Sequence, residues 1–143
     1  MALLGGVRDT AGGVAYLEQN VKHWTDYGFG LWMLRDAPSG EMIGRAILRH
    51  LDVEGVDEVE LGYGFMPDYW GKGLATEIAR ELVRIGRDEL GLRSLVAITT
   101  APNLASQHVM LKIGMIHERD IIHAGISHLL FRTSDCSPKS VEM

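Results

Sequence analysis

The sequence predicts a single α+β domain. The chain has 143 residues, about the usual length of one domain, and its 46% hydrophobic and 23% charged residues are ordinary for a globular protein. Segments with helical spacing of apolar residues are mixed with short strand-like runs, without a strict β-α-β alternation. Glycine is unusually frequent, with 17 copies that often stand where these segments end. We expect one domain over residues 1–133 and a disordered tail over 134–143.

Apolar periodicity and the residues that interrupt it define each element in turn. An irregular arm is expected at residues 1–9, and an exposed acidic loop at Asp52–Asp57. The predicted helices are Thr10–Tyr27, Leu74–Leu90 and Asn103–Gly114. The predicted strands are Leu31–Arg35, Met42–Leu51, Glu58–Met66, Leu95–Thr99, Met115–Ile121 and Ile126–Arg132.

Two of the helices have an apolar face that should be buried. The inner face expected of the first helix consists of Val14, Leu17, Val21 and Trp24. The inner face expected of the second helix consists of Ala75, Ile78, Ala79, Leu82 and Ile85. The residues expected to face water are Glu18, Gln19 and Lys22 in the first helix and Glu77, Arg80, Glu81 and Arg84 in the second.

Composition excludes several classes of function. With 19 acidic against 14 basic residues the net charge is −5, which argues against a nucleic-acid partner. The single cysteine, Cys136, allows no disulfide framework and no thiolate zinc site, and the six histidines lack close ligand spacing. The apolar start is too short for a signal peptide, and no apolar run reaches the length of a membrane span. We therefore expect a cytoplasmic protein with no metal and no membrane partner.

The segment LGYGFMPDYWGKGLATE, residues 61–77, contains the strongest chemical signal. A strand ends before Pro67, a glycine-rich turn follows, and a helix begins. Backbone N–H groups at a helix N-terminus bind anions, glycines at 71 and 73 allow close approach, and Lys72 adds a positive charge. The segment fits a phosphate cradle or simply a tight turn. It fails the Walker A pattern and twice fails the dinucleotide fingerprint, which argues against a nucleotide-binding domain.

A second signature lies at the right distance along the chain. Together, the two signatures resemble those of the GNAT acetyltransferase superfamily, over about Ala15–Arg132. The branch that includes ribosomal-protein N-terminal acetyltransferases is the most similar. In the cofactor loop the superfamily's three motif positions fall on Trp70, Gly73 and Ala75, and Trp70 replaces the more general Arg or Gln. The second signature matches at Asn103, Ser106, Lys112 and Gly114.

This resemblance implies a mixed, mostly antiparallel sheet with a central, splayed pair of parallel strands, flanked by helices. Compared with the superfamily, the N-terminal strand and first helix are expected to be reduced or absent. The strand Leu31–Arg35 would then have an unpaired edge, and we expect the N-terminal arm or a second subunit of a homodimer to cover it. Gly62 and Gly64 are expected to let the third strand bulge and splay from its parallel neighbour.

The co-substrate implied by the resemblance is acetyl-CoA. Its diphosphate would bind the amides of the glycine loop, and its pantetheine arm would pair with a strand edge. Backbone groups of Phe65 and Met66 would bind the arm and the thioester carbonyl, where an N–H would stabilise the oxyanion. The residues expected to bind acetyl-CoA are Phe65, Met66, Trp70, Gly71, Lys72, Gly73, Leu74, Ala75, Thr76 and Asn103.

The activity implied is transfer of acetyl to a primary amine by direct attack in a ternary complex. Glu60 is the candidate base, acting directly or through a water, because an ammonium must lose a proton before it attacks. Many members protonate the thiolate with a tyrosine at the position of Met110. Here either Ser106 is the donor or the thiolate takes its proton from solvent. The alternative is a non-catalytic acyl-CoA-binding or assembly module.

Overall fold

The computed structural model describes residues 10–133. The expected arm at residues 1–9 and the expected disordered tail at 134–143 lie outside this range. The helices are α1 (Thr10–Tyr27), α2 (Leu74–Arg84) and α3 (Leu104–Lys112). The strands are β1 (Leu31–Arg35), β2 (Met42–Val53), β3 (Val56–Phe65), β4 (Val96–Thr99), β5 (Met115–His123) and β6 (Ile126–Thr133).

These six strands form one sheet in the order β1-β2-β3-β4-β6-β5. All neighbours are antiparallel except β3 and β4, the one parallel pair. The mixed sheet with a central parallel pair confirms the predicted fold class. Of the helices within residues 10–133, none is both long enough and apolar enough to cross a membrane.

The connection between β2 and β3 is shorter than expected. The predicted loop Asp52–Asp57 is wrong, because the two strands pair up to Val53 and Val56. Only Glu54 and Gly55 remain in the turn, with φ of 48° and 91°. Two positive φ values are the signature of the type I′ hairpin, whose twist matches that of the strands.

The second helix also ends earlier than predicted. A π-helical turn at Ile85–Glu89 follows α2, and the Leu90 N–H donates to the Ile85 carbonyl at 3.0 Å. Gly86 lies buried within this turn, where a Cβ would approach Leu95 Cδ1 to 3.0 Å. A glycine therefore lets the turn pack closely against the residue before β4.

Two apolar clusters fill the two faces of the sheet. The larger contains side chains from α2 and α3, so both helices pack on the same face. Its buried members include Leu48, Leu61, Leu82, Ala97, Met110 and Phe131. The smaller cluster consists of Val53, Val96, Ile121 and Leu130. Neighbouring residues of β4, Val96 and Ala97, belong to different clusters, as strand alternation requires.

Helix α1 has the predicted bounds but not the predicted burial. Leu17 is 60% exposed, Val21 66% and Trp24 37%, so the expected inner face is wrong for these three residues. The side chain of Val14 lies outside the described part of the chain. The helix is held at its C-terminal end instead: the Trp24 indole N–H donates to the Leu31 carbonyl at 2.9 Å, and His23 Nε2 accepts the His50 N–H at 3.0 Å.

Candidate active site

A gap opens between the parallel strands β3 and β4. Their register contains one pair, Glu60 with Val96, and the strands diverge beyond it. The predicted splay is therefore present. The predicted bulge is not, because β3 pairs with β2 without interruption from Val56 to Phe65. The divergence leaves one edge of β3 open toward β4.

The hydrogen bonds at the end of β3 show which backbone groups face this gap. The Met66 N–H donates to the Ile43 carbonyl at 2.8 Å, and the Met66 carbonyl accepts from the Tyr69 N–H at 2.9 Å. Both backbone groups expected to bind the arm at Met66 therefore already have partners within the protein. Because backbone direction alternates along a strand, the Phe65 N–H points away from β2, toward the gap.

Between β3 and α2 lies the predicted glycine loop. Gly71 and Gly73 adopt φ of 75° and 79°, a region that L side chains rarely occupy. Gly73 is the N-cap of α2 and has no side chain that could accept a hydrogen bond from the first turn. Lys72 is exposed. The first N–H groups of α2, at Leu74, Ala75 and Thr76, have no carbonyl within the helix to bind. This arrangement suits an anion.

Trp70 anchors the loop to the strand that precedes it. Its indole N–H donates to the Phe65 carbonyl at 2.8 Å, although the side chain is 58% exposed. The neighbouring Tyr69 hydroxyl donates to Glu41 at 3.3 Å. Both aromatic side chains therefore make specific hydrogen bonds to residues outside the loop.

Glu60 is a buried carboxylate, with only 8% of the residue exposed. Its Oε1 accepts from Arg49 Nε at 2.8 Å across the β2–β3 ladder. Its Oε2 makes no hydrogen bond to another residue of the described range 10–133. By alternation the next two positions on the same face are Gly62 and Gly64, which leave bare backbone beside the carboxylate.

A second group of charges lies on this face of the sheet. Arg132 Nη2 contacts Glu58 Oε2 at 2.8 Å, and Arg132 Nε contacts Glu118 Oε1 at 2.6 Å. These bonds raise the pKa of Arg132, and the Arg132 hydrogen bond lowers the pKa of Glu118. Glu58 and Glu118 therefore share Arg132, and Arg49 pairs with Glu60. Arg49 was not among the residues predicted for the site.

On the opposite wall of the gap, α3 begins just after β4. Asn103 caps this helix, and its side chain accepts the Ser106 N–H at 3.1 Å. Ser106 lies one turn before Met110, which is 3% exposed and packs in the larger apolar cluster. Tyr63 of β3 packs against the same apolar cluster, and burial raises the pKa of its phenol.

The candidate site contains no evident metal ligands. Across the described residues, no three His, Cys, Asp or Glu side chains gather as a metal site would require. The histidines instead have local partners, such as the contact of His117 with Asp120 at 3.0 Å.

Comparison with known proteins identifies the family. Residues 2–116 match the family described as acetyltransferase (GNAT) domain. The chain therefore belongs to the GNAT acetyltransferase family, whose co-substrate is acetyl-CoA.

Two curated proteins illustrate the range of relatives. The uncharacterised protein YkkB of Bacillus subtilis is 30% identical over 121 residues, which are 85% of this chain and 70% of YkkB. The FsC-acetyl coenzyme A-N(2)-transacetylase of Aspergillus fumigatus is 35% identical over 96 residues, 63% of this chain. The match spans only 40% of that longer protein.

Solved structures share the fold. A protein assigned to the GNAT acetyltransferases, from Bordetella pertussis, superposes with a TM-score of 0.79 at 26% identity, over 92% of this chain and 82% of its own. An acetyltransferase from Agrobacterium tumefaciens superposes with a TM-score of 0.80 at 24% identity. The match covers 94% of this chain and 77% of that one. The ribosomal-protein-S5-alanine acetyltransferase of Vibrio fischeri superposes with a TM-score of 0.72 at 18% identity, over 90% of this chain and 76% of its own. At this identity the two proteins share the fold alone.

Proposed function

We propose that this protein is an N-acetyltransferase that transfers acetyl from acetyl-CoA to a primary amine by direct attack in a ternary complex. The observation that carries this proposal is Glu60, a buried carboxylate held by Arg49 at the point where β3 and β4 separate. A buried, oriented acceptor of protons beside an open strand edge is what amine acetylation requires. Membership of the GNAT family supports the same chemistry.

Acetyl-CoA would bind along the gap and the glycine loop. The N–H groups from Gly71 to Thr76 would hold the diphosphate, with Lys72 adding charge and Leu74 and Ala75 lining the turn. The open edge of β3 would pair with the pantetheine arm as an added strand does. Trp70 would hold the loop against β3 and flank the arm together with the Met66 and Asn103 side chains. The uncapped start of α2 and the open edge of β3 both fit this ligand.

The chemistry then follows from three groups of this chain. Glu60 Oε2 takes the proton that the attacking amine loses, directly or through a water. The Phe65 N–H, with its direction fixed by the Met66 bond to β2, stabilises the charge that develops on the carbonyl oxygen. Ser106, in the first turn of α3, supplies a hydrogen bond to the departing thiolate.

The acceptor is a primary amine, either a protein N-terminus or a small molecule, in the cytoplasm. An N-terminal acceptor agrees with the ribosomal-protein branch that the loop sequence resembles, and a small-molecule acceptor with the relative named an N(2)-transacetylase. The bare face formed by Gly62 and Gly64 beside Glu60 would admit the amine.

We also propose that the protein forms a homodimer through β1 and α1. β1 is an edge strand of the sheet, and its Met33 is 51% exposed. The Leu31 carbonyl on the free edge of β1 accepts a hydrogen bond from the Trp24 indole of α1. Leu17 and Val21 add exposed apolar surface on α1. Light scattering should give twice the chain mass, and Val21→Glu should produce the monomer. A wild-type monomer at micromolar concentration would rule out this dimer.

The direct test starts with calorimetric titration with acetyl-CoA, using ATP and NAD as controls. We expect saturable binding of acetyl-CoA alone, followed by CoA release in the presence of a panel of primary amines. If a folded sample does not bind acetyl-CoA, the proposal is contradicted.

Glu60→Gln separates the enzyme from the alternative, a non-catalytic acyl-CoA-binding module. The substitution should abolish turnover and leave acetyl-CoA affinity unchanged. Glu58→Gln is the matched control, because Glu58 lies on the same strand and face and also pairs with an arginine. Binding without turnover of any amine by the wild type would favour the binding module.

A further inference from the structure

The ion pair between Arg49 and Glu60 uses only part of each side chain. Arg49 Nε donates to Glu60 Oε1 at 2.8 Å. Within the range 10–133, Arg49 Nη1 and Nη2 form no hydrogen bond, and neither does Glu60 Oε2. A guanidinium and a carboxylate match in shape and often form two parallel hydrogen bonds. The single bond formed here leaves N–H donors and one carboxylate oxygen side by side.

These atoms of the pair reach the solvent. The Arg49 side chain is 41% exposed. Glu60 is buried as a residue, but its Oε2 is not a fully buried atom. Across the described residues, the Tyr63 hydroxyl oxygen is the one fully buried side-chain polar atom without a partner. A small molecule in solution can therefore contact the Arg49 Nη atoms and Glu60 Oε2 together.

The register of the sheet places this pair beside the strip where the acceptor would enter. Arg49 of β2 is opposite Glu60 of β3, and Ile47 is opposite Gly62, so all of them share one face. Gly62 has no side chain to cover β3 there, and a Cβ at this position would come within 3.1 Å of Ile47 Cγ2. A molecule whose amine lies at Glu60 would thus extend over β2, where Arg49 lies.

Other arginines near this face have different partners. Arg132 is held by two carboxylates at 2.8 and 2.6 Å. Arg45 donates to the Tyr16 hydroxyl of α1. Arg49 is the arginine in direct contact with Glu60. A ligand bound at Glu60 therefore meets the guanidinium of Arg49 first.

We propose that the acceptor is an α-amino acid, with Glu60 Oε2 receiving its ammonium group and the Arg49 Nη atoms its carboxylate. This inference rests on the proposed function. The two charged groups of an α-amino acid are attached to the same carbon, which suits a carboxylate and a guanidinium in direct contact. A peptide N-terminus has a neutral amide in place of the carboxylate, and a polyamine has a second cation that Arg49 would repel.

The same arrangement serves the transfer itself. The ammonium gives a proton to Glu60 Oε2, the nitrogen bonds to the acetyl carbonyl carbon, and the C–S bond breaks with its electron pair going to sulfur. A second proton of the nitrogen ends on the CoA sulfur, and the first passes from Glu60 to solvent. The product, an N-acetyl amino acid, no longer has the positive charge that Glu60 attracts. It keeps only its contact with Arg49, which favours release.

A comparison of substrates with the wild-type protein provides the first test. Each common L-amino acid is assayed for CoA release beside its own α-amide, which keeps the side chain and mimics a peptide N-terminus. We expect kcat/KM for the best amino acid to exceed that for its amide about tenfold or more, mainly through KM, as the loss of a hydrogen bond between charged groups predicts. Amine basicity works against this result, because an ammonium without a neighbouring carboxylate loses its proton more easily. Equal values, or a preference for amides or spermidine, would overturn the inference.

Arg49→Gln tests whether Arg49 sets this preference. Glutamine can still donate to Glu60 but has no positive charge. The preference for amino acid over amide should fall below about twofold. A loss of activity through the position of Glu60 or through stability affects both substrates alike and cancels in this ratio. Arg87→Gln, at an exposed arginine after α2, is the matched control and should keep the wild-type ratio. A preference that survives in Arg49→Gln would overturn the role of Arg49.

Binding without turnover distinguishes failure of this inference from failure of the proposed function. The amino acids and their amides are titrated by calorimetry into protein saturated with CoA. If the protein acetylates peptide N-termini or polyamines but neither binds nor acetylates amino acids, the inference fails and the proposed function stands. If it acetylates no amine, yet binds an amino acid more tightly than its amide and loses this preference in Arg49→Gln, the proposed function fails and the amino-acid site is supported. Equal binding of amino acid and amide would overturn the inference.

Discussion

Replacing Arg49 by methionine should destabilise the fold through Glu60. Arg49 Nε donates to Glu60 Oε1 at 2.8 Å, and the Glu60 side chain is 11% exposed. Methionine keeps most of the aliphatic volume of arginine and removes its charge and donors. The substitution therefore leaves a carboxylate in a buried position without the group that compensates its lost hydration.

The magnitude follows from the burial of the two partners. Breaking a fully buried ion pair costs about 3–5 kcal/mol, whereas an exposed pair contributes about 0–1 kcal/mol. Here the carboxylate is buried but the Arg49 side chain is 41% exposed, so water screens part of the interaction. We expect Arg49→Met to cost about 2 kcal/mol, between the two limits, which corresponds to roughly 4–8 °C in the melting temperature of a chain this size.

Urea unfolding followed by circular dichroism measures this cost. A cycle of Arg49→Met, Glu60→Gln and the double variant isolates the pair, because glutamine removes the charge that needs compensation. The double variant should be less destabilised than the sum of the single variants, by about 1–2 kcal/mol. Arg87→Met, at an exposed position after α2, is the control and should change stability by less than about 0.5 kcal/mol.

Additive free energies in this cycle would refute the reasoning. They would mean that Glu60 does not depend on Arg49 in the folded protein, and that another group or water compensates its charge. Glu60 would then not be a carboxylate that Arg49 orients.

Three further predictions concern the sheet, the arginine network and the loop. Gly44→Ala should cost about 3 kcal/mol in urea unfolding, because its Cβ would overlap the Gly64 carbonyl oxygen, and a cost below 1 kcal/mol would contradict this packing. Glu118, whose pKa is lowered by Arg132, stabilises the fold above its ordinary value of 4.5 and loses this effect as the pH falls. The stability difference between wild type and Glu118→Gln should therefore shrink from pH 7 to pH 3, and a constant difference would refute the assignment. Trp70→Phe should weaken acetyl-CoA binding several-fold in calorimetry with little change in melting temperature, because the lost indole hydrogen bond holds an exposed loop. An unchanged affinity would mean that this hydrogen bond does not contribute to acetyl-CoA binding.

Element bounds were predictable where local residues decide them. The predicted bounds of α1 and β1 are confirmed, because Gly28, with φ of 78°, ends the helix and the strand follows at once. The glycine loop and the start of α2 were likewise predictable, since positive φ at Gly71 and Gly73 is a property of glycine itself.

Register was only partly predictable. The acidic segment 52–57 looked like a loop, although Glu54-Gly55 can form a two-residue hairpin turn. With that turn recognised, counting back along both strands puts Arg49 opposite Glu60. The pairing of Glu60 with Arg49 could therefore be predicted from the sequence, but only once the turn at Glu54-Gly55 was recognised.

The sequence by itself determined the order of elements and the glycine loop before α2, because these depend on periodicity and on the backbone freedom of glycine. The central parallel pair was expected only from the resemblance to the GNAT superfamily. Only the tertiary structure decided that the Met66 N–H donates to Ile43, that Arg132 binds Glu58 and that α1 leaves Leu17 exposed. Each of these depends on residues far apart in the chain. Local pattern contains no information on which distant group takes a hydrogen bond or covers an apolar face.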